Sequence, residues 1–302
     1  MSALMLLDGG TGRELARMGA PFRQPEWSAL ALIEAPHFVS QVHAAYVQAG
    51  ADVITTNSYA LVPFHIGEER FVAQAEALAT LAGELAQGVK RQAGRPVAVA
   101  GSLPPSCGSY RPDLFRAEEG RRVLAPLVRG LRAQVDHWQA ETLSAIEEAQ
   151  LVRDVLGHDD KPLWLSFTLQ DEGCADAQPR LRSGELVADA ARAALALGAR
   201  AMLFNCSQPE VMAAAVDVAV DFFRSQAAAV QVGVYANAFP PQPKDAEANS
   251  GLDEIRADLT PALYVNWARS WRARGADIIG GCCGIGPEHI EQLYKARMAG
   301  VL

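Results

Sequence analysis

The feature that most constrains the fold of this chain is a repeat of β-rich runs, each with Gly, Ser, Thr or Asn near its end and each followed by a helix-like stretch. Strands that alternate with helices pair in parallel through right-handed crossovers. The sequence therefore predicts an α/β fold in which eight units close into a single (β/α)8 TIM barrel. The eight runs are LMLLDGG (4–10), DVITTNS (52–58), VAVAGSL (97–103), HWQAETL (137–143), LWLSFTL (163–169), AMLFNCS (ending at 207), VQVGVYAN (230–237) and DIIGGCCG (277–284).

The remaining segments fit this arrangement. PHFVSQVHAAYVQAG, which ends at Gly50, and GELVADAARAALALG are typical of helices. The fourth strand run is the weakest, because its polar residues are not typical of a buried strand. The main alternative is an open doubly wound sheet, but DGGTGRE lacks the spacing of a dinucleotide-binding fingerprint. We interpret residues 1–302 as one barrel domain, with a long loop at 239–259 that forms a lid or rim after the seventh strand.

Composition excludes several classes of protein. The chain has 302 residues, half of them apolar, and a formal net charge of −8. That acidic balance, without a Lys/Arg cluster, argues against a nucleic-acid-binding protein. No segment approaches the ~18 apolar residues of a membrane helix, and the first residues do not resemble a signal peptide. The odd number of cysteines, five, does not indicate a secreted disulfide framework. A cytoplasmic location is predicted.

The barrel prediction locates the chemistry. Active sites of such barrels lie at the carboxyl ends of the strands. Polar residues that end the eight runs should therefore converge, although they are distant in sequence. They are Asp8, Asn57, Ser102, Glu141, Thr168, Cys206, Asn237, Cys282 and Cys283.

Two adjacent cysteines end the eighth run, between glycines. Successive Cα atoms lie about 3.8 Å apart, too close for an unstrained disulfide. Glycine reaches backbone angles closed to other residues, so a turn here can aim both sulfurs at one metal ion. Cys206 ends a strand only two positions away in the barrel and can add a third thiolate. Three thiolates and one open position form a catalytic zinc site, whereas ordinary buried cysteines are the alternative. Cys107 and Cys174 are interpreted as incidental thiols.

Several motifs carry a family resemblance, and they occur in order over essentially the whole chain. The chain resembles the homocysteine S-methyltransferase family in these elements: DGGTGREL (8–15), YVQAGADVITTNSY (46–59), VAGSLPP (99–105), AETL (140–143), FNCSQPE (204–210) and IGGCCGIGPEHI (279–290).

This resemblance implies a (β/α)8 barrel that binds Zn2+ through Cys206, Cys282 and Cys283. It implies that Asp8 and Glu141 hold the amino acid substrate. Without it, the residues alone favour a helix-capping role for each carboxylate. Asn57 and Asn237 are candidates for the same pocket, although turn-forming roles are an alternative. Three histidines without ligand spacing, at positions 43, 65 and 289, are interpreted as surface or helix residues.

The implied reaction moves a methyl group to the thiol of homocysteine and gives methionine. Zinc would hold that thiol as a thiolate. The compact chain favours S-methylmethionine or S-adenosylmethionine as donor. Such cations suit aromatic faces, but packing is the commoner role of the tyrosines and phenylalanine near the strand ends, so none is assigned: Tyr59, Phe64, Tyr110 and Tyr235. Alternatives are a betaine-type enzyme, another thiol or selenol methyltransferase, and a non-catalytic barrel whose zinc has Cys107 or Cys174 as a fourth ligand.

Overall fold

A single parallel sheet organises the molecule. The computed structural model describes residues 3–171, 178–242 and 254–302. Within these ranges the sheet has eight strands in the spatial order β1-β8-β7-β6-β5-β4-β3-β2. They are β1 Met5–Leu6, β2 Val53–Thr55, β3 Ala98–Leu103, β4 His137–Leu143, β5 Leu163–Phe167, β6 Ala201–Asn205, β7 Gln231–Ala236 and β8 Ile278–Gly281.

The sheet closes on itself between its first and last members. A parallel bridge joins Leu7 to Val53, and the amide of Asp8 donates to the Val53 carbonyl at 3.1 Å. On the other side β1 pairs with β8 through Met5 and Ile278. The predicted (β/α)8 barrel is therefore confirmed, and the open doubly wound alternative is wrong.

Helices connect the strands throughout the described ranges. They are α1 Thr11–Arg17, α2 Ser28–Glu34, α3 Pro36–Ala49, α4 Pro63–Ile66, α5 Glu68–Gln92, α6 Ala117–Leu131, α7 Ile146–Leu156, α8 Val187–Ala196, α9 Pro209–Ser225, α10 Pro261–Ala273 and α11 Pro287–Met298. The predicted end of α3 is confirmed, because Gly50 has a left-handed φ of 107° and caps the helix.

Two apolar clusters hold the barrel together. The larger one lies between the strands and the surrounding helices, with Trp138 and Trp271 among its fully buried side chains. The smaller one fills the barrel interior, and it includes Leu7, Val53, Ala100, Trp164, Ala201, Leu203, Tyr235 and Ile278. This interior cluster forms the floor on which the site is built.

The polar character of β4 has a structural explanation. Alternate residues of a strand share one face, and His137 and Gln139 contact members of the interior cluster. The His137 ring lies 4.0 Å from that of Trp164, and Gln139 Nε2 donates to the Tyr235 hydroxyl at 3.3 Å. Both side chains are buried. The polar residues therefore mark the inner face of the barrel, and the expectation that they are atypical of a buried strand was wrong.

Three histidines interpreted as surface or helix residues all lie on helices, but none is at the surface. His43, His65 and His289 are buried on α3, α4 and α11. Burial lowers the pKa of His43 to about 4, so this side chain is neutral at physiological pH. No helix among the described residues has the length and apolarity needed to span a bilayer; the cytoplasmic location stays a prediction.

Candidate active site

A cavity opens at the carboxyl ends of the strands. Strand ends on several sides of the barrel contribute to its wall. Among its lining residues are the following, which carry the argument below: Asp8, Gly12, Trp27, Asn57, Tyr59, Tyr110, Gln139, Glu141, Thr142, Cys206, Tyr235, Phe239, Gln242, Cys282 and Cys283.

Three cysteines converge on one side of this cavity. The sulfur atoms of Cys206, Cys282 and Cys283 all lie within 4.8 Å of one another. The sulfurs of Cys206 and Cys282 are in direct contact, with their Cα atoms 5.8 Å apart, so this pair would form a disulfide when oxidised. Cys107 lies outside the cluster, where its sulfur donates to the Arg111 carbonyl at 3.4 Å. Cys174 falls outside the described residues.

This donor set fits a zinc ion. Tetrahedral Zn–S bonds of about 2.3 Å place two sulfur ligands about 3.8 Å apart. Sulfurs gathered within 4.8 Å of one another need only small side-chain adjustments to reach that separation, with all three cysteines in the reduced state, since thiolates are the species that bind metal. Within the described residues, no fourth Cys, His, Asp or Glu joins the group. The arrangement therefore matches a three-ligand site with one position left for another molecule.

Glycines around the cysteine pair allow this convergence. Gly284 turns the chain with a φ of 82°. A Cβ at Gly280 would lie 2.4 Å from Leu7 Cβ, and one at Gly281 would lie 2.1 Å from Ile285 Cγ2. Gly280 and Gly281 therefore allow β8 to pack closely against its neighbours, whereas Gly284 allows the left-handed turn.

Asp8 follows β1, the strand that pairs with the cysteine-bearing β8, and its carbonyl accepts from the Gly281 amide at 3.0 Å. Its side chain does not cap a helix. Its Oδ2 accepts from the Thr55 amide at 2.6 Å, and its Oδ1 accepts from the Thr55 hydroxyl at 3.0 Å. Burial raises the pKa of Asp8 to about 7, and the negative charge of Glu141 contributes in the same direction. A buried acid with a strongly raised pKa at the wall of a cavity is a candidate functional residue.

Glu141 is the second carboxylate of the cavity. The Ser102 hydroxyl donates to its Oε1, and the Tyr235 hydroxyl donates to its Oε2 at 3.3 Å. Burial raises its pKa. The role of capping α7 belongs instead to Glu148, whose Oε2 accepts from the amides of Ser144 and Ala145. The Glu141 side chain therefore lines the cavity and does not cap α7.

The two predicted asparagines differ in position. Asn57 lines the cavity, and its Nδ2 donates to the Ser28 carbonyl at 3.0 Å. Asn237 is buried and absent from the cavity wall. Its Oδ1 accepts from the Phe239 amide at 3.3 Å, a turn-forming contact. The structure therefore brings Asn57, but not Asn237, to the other site residues.

Aromatic side chains form much of the remaining wall. Tyr59, Tyr110 and Tyr235 line it, whereas Phe64 is 52% exposed and does not. Trp27 also lines the cavity, with its indole 6.3 Å from the Tyr59 ring and stacked on His65 at 6.2 Å. Sequence reasoning missed Trp27, because it precedes α2 in a segment without strand or helix character.

A buried ion pair fixes the rim of the cavity. Arg182 Nη2 lies 3.3 Å from Asp171 Oδ2, and the two side chains are 3% and 0% exposed. Asp171 also accepts from the amides of Gln208 and Gln242 at 3.1 and 2.9 Å. The Arg182 guanidinium lies 4.6 Å from the centre of the Tyr110 ring. This rim clasp, Asp171 with Arg182, therefore joins loops that follow four different strands.

Replacing Arg182 with Met is expected to lower the free energy of unfolding by about 3–5 kcal/mol, because it leaves a buried carboxylate unpaired. Urea unfolding measures the change. Adding Asp171→Asn should restore part of the loss, since the amide removes the charge. The matched control is Arg180→Met, an exposed arginine nearby. Equal stability of the Arg182 and Arg180 variants would contradict the role of the clasp.

Comparison with known proteins gives a consistent result. The family model described as homocysteine S-methyltransferase matches residues 5–297. Homocysteine S-methyltransferase of Escherichia coli (strain K12) is 30% identical over 312 residues, covering 97% of this chain and 95% of that protein. Selenocysteine methyltransferase of Astragalus bisulcatus is 26% identical, covering 98% of this chain and 93% of its own length.

Solved structures agree with these sequence matches. The metallated form of the Escherichia coli homocysteine methyltransferase MmuM superposes with a TM-score of 0.76 at 28% identity, over 97% of this chain and 96% of that one. Its oxidised form superposes equally well, at 27% identity and with the same coverage.

Proposed function

Because the chain belongs to the homocysteine S-methyltransferase family, we propose that it methylates the thiol of homocysteine, gives methionine, and binds Zn2+ through Cys206, Cys282 and Cys283. The observation that carries the metal assignment is the convergence of these three sulfurs at the wall of the cavity. The existence of a metallated form of the similar MmuM supports it. We also propose that residues 1–302 form one homocysteine-binding barrel domain, since the family match and the single sheet span nearly the whole chain.

The thiolate ligands are the chain's own contribution to metal binding. A free thiol is mostly protonated at neutral pH. When bound, Zn2+ supplies the acidity that keeps a coordinated thiol deprotonated. The three cysteines leave room for one further ligand within the described residues, and we assign that position to the homocysteine sulfur.

Asp8 and Glu141 are proposed to hold the ammonium group of homocysteine. Both carboxylates face the same cavity as the cysteines, and neither caps a helix. A bound cation favours the ionised form of each acid and offsets the cost of their burial. Asn57 borders this region, and we assign it to the same pocket. Asn237 lies outside the cavity wall, and we propose that it stabilises the turn at Phe239, whose amide donates to it.

The donor is proposed to be a sulfonium compound, S-methylmethionine or S-adenosylmethionine. The wall combines the aromatic rings of Trp27, Tyr59 and Tyr110 with two carboxylates, a lining that attracts a cation. In the transfer, the homocysteine sulfur forms a bond to the methyl carbon as the donor's S–CH3 bond breaks. The electron pair of that bond stays on the donor sulfur, which becomes a neutral thioether. Alignment of the two sulfurs should supply much of the rate.

Methionine formation tests the reaction and the donor together. Reduced, zinc-loaded protein is supplied with homocysteine and, in parallel, S-methylmethionine, S-adenosylmethionine or betaine. We expect turnover with a sulfonium donor and its loss on zinc chelation. Turnover with betaine alone would contradict the donor assignment. Absence of turnover with every donor would contradict the proposed reaction.

A selenol is a second candidate acceptor, because two similar proteins are named selenocysteine methyltransferase and selenocysteine Se-methyltransferase. Selenocysteine should therefore be supplied as a competing acceptor in the same assay. A non-catalytic zinc barrel predicts instead a closed shell of four protein sulfurs. X-ray absorption at the zinc edge separates the two: a sulfur ligand added by homocysteine supports the enzyme, and an unchanged four-sulfur shell contradicts it.

A further inference from the structure

Two turns of the site share an unfavourable backbone conformation. Thr142 follows Glu141 at the end of β4 and has a φ of 60°, whereas Cys206 follows β6 and has a φ of 51°. Positive φ is uncommon for residues other than glycine, and for β-branched threonine it is a true outlier. Such conformations persist only where the surroundings hold them in place. The register shift between Ala140 and Leu143 occurs at the same point of β4.

Asn205 holds these two turns together. Its Oδ1 accepts from the Thr142 amide at 3.0 Å, and its Nδ2 donates to the Thr142 hydroxyl at 2.9 Å. Asn205 is fully buried and does not line the cavity. Its carboxamide thus uses its oxygen and one N–H donor on a single residue of the neighbouring turn. Leaving either buried group without a partner carries a desolvation penalty.

The neighbours of this pair carry the proposed chemistry. Glu141 directly precedes Thr142, and Cys206 directly follows Asn205. The carbonyl of Cys206 accepts from the Tyr110 hydroxyl at 3.1 Å, which fixes the second turn from its other side. A shift of either turn would therefore move a substrate carboxylate relative to a metal ligand.

We propose that Asn205 is a positioning residue, which sets the ammonium-binding carboxylate of Glu141 and the metal ligand Cys206 at a fixed separation through its paired hydrogen bonds to Thr142. The inference rests on the proposed function and deepens it. Homocysteine must meet both groups at once, with its ammonium group at one and its sulfur at the other. A fixed separation between Glu141 and Cys206 would therefore select an amino acid whose ammonium group and sulfur are the right distance apart to reach both residues.

The test compares Asn205→Ala with Asn266→Ala, the same substitution at an exposed position on α10. Two quantities are measured on folded, reduced protein: the KM for homocysteine, and zinc retention against a competing chelator. We expect Asn205→Ala to raise KM at least about tenfold and to weaken zinc retention at least about tenfold, as losses of residues that orient metal ligands do. Asn266→Ala should change neither.

A merely structural role would give a different pattern. It predicts a lower melting temperature for Asn205→Ala, with KM and zinc retention of the folded fraction unchanged, and that result would overturn the proposal. If Asn205→Ala does not fold, Thr142→Val replaces it, because the valine removes the hydroxyl that accepts from Asn205. Asn266→Ala stays the control, and wild-type KM and zinc retention in folded Thr142→Val would overturn the proposal.

Zinc retention needs no methyl transfer, and this separates the two hypotheses. Wild-type protein that retains zinc but makes no methionine would refute the proposed reaction. The role of Asn205 would then be decided by zinc retention alone. In an active enzyme, Asn205→Ala and Glu141→Gln should also be less than additive in their effects on KM, because the first acts through the second residue.

Discussion

Replacing Cys282 with serine is expected to remove bound zinc and to reduce turnover at least about 100-fold. Its sulfur is one of three that converge within 4.8 Å, so two thiolates would remain. Loss even of residues that only orient metal ligands costs 10–100-fold in affinity or activity, and loss of a ligand should cost no less. The measurements are zinc stoichiometry after dialysis and methionine formation.

Cys107→Ser is the matched control for this experiment. Cys107 lies apart from the cluster, and it should keep full zinc content and activity when replaced. The wild type and both variants are reduced before zinc is added, because only thiolates bind metal and oxidation of Cys206 with Cys282 would block the site in the wild type and in Cys107→Ser. Full zinc content and turnover in Cys282→Ser would refute the proposed metal site.

The second large effect concerns pH. Burial raises the pKa of Asp8 from 3.8 to about 7. Below that pH the carboxyl is neutral and cannot pair with the substrate's ammonium group, whereas above it the charged form binds. We therefore expect kcat/KM for homocysteine to rise about tenfold per pH unit below pH 7 and to level off above it. Glu141, whose pKa is also raised by burial, belongs to the same coupled titration.

Asp8→Asn should flatten this limb of the profile and lower kcat/KM above pH 7 about 30-fold or more. Loss of one partner of a buried charge pair costs about 2 kcal/mol or more, which corresponds to that factor. Asp113→Asn, at an exposed residue outside the cavity, is the control. An unchanged profile in Asp8→Asn would assign the titration to another group.

The alternation of strand-like and helix-like segments, together with the residue types at the strand ends, was enough to predict the barrel and the convergence of Cys206, Cys282 and Cys283. Parallel strands place their carboxyl ends together, so residues as distant in sequence as Cys206 and Cys282 could be assigned to one edge. The inner face of β4 was misjudged because a barrel has two buried faces, and polar residues such as Gln139 can pair inside it. Sequence alone does not distinguish such a face from a solvent-exposed one.

The rim and the turns could not be predicted in this way. The Asp171–Arg182 pair forms between two residues that follow β5, and its further contacts reach Tyr110 and Gln242. Neither helical nor strand periodicity reports such contacts. The role of Asn205 depends on positive φ angles at two neighbouring turns, which arise from tertiary packing and leave no mark on local residue preference.

The closure of the barrel has a consequence for biosynthesis. The seam between β1 and β8 pairs Met5 with Ile278, and Asp8 and Cys282 lie just beyond it. Asp8 is synthesised roughly 270 residues before Cys282, a delay of about 15–55 s at typical translation rates of about 5–20 residues per second. The edge of β1 that pairs with β8 therefore stays without its partner strand for that time, although β2 is available to the other edge much earlier. Chains that terminate before β8 lack Cys282 and Cys283 as well as the strand that completes the barrel, and they should therefore be inactive. Catalytic activity should then come only from full-length molecules.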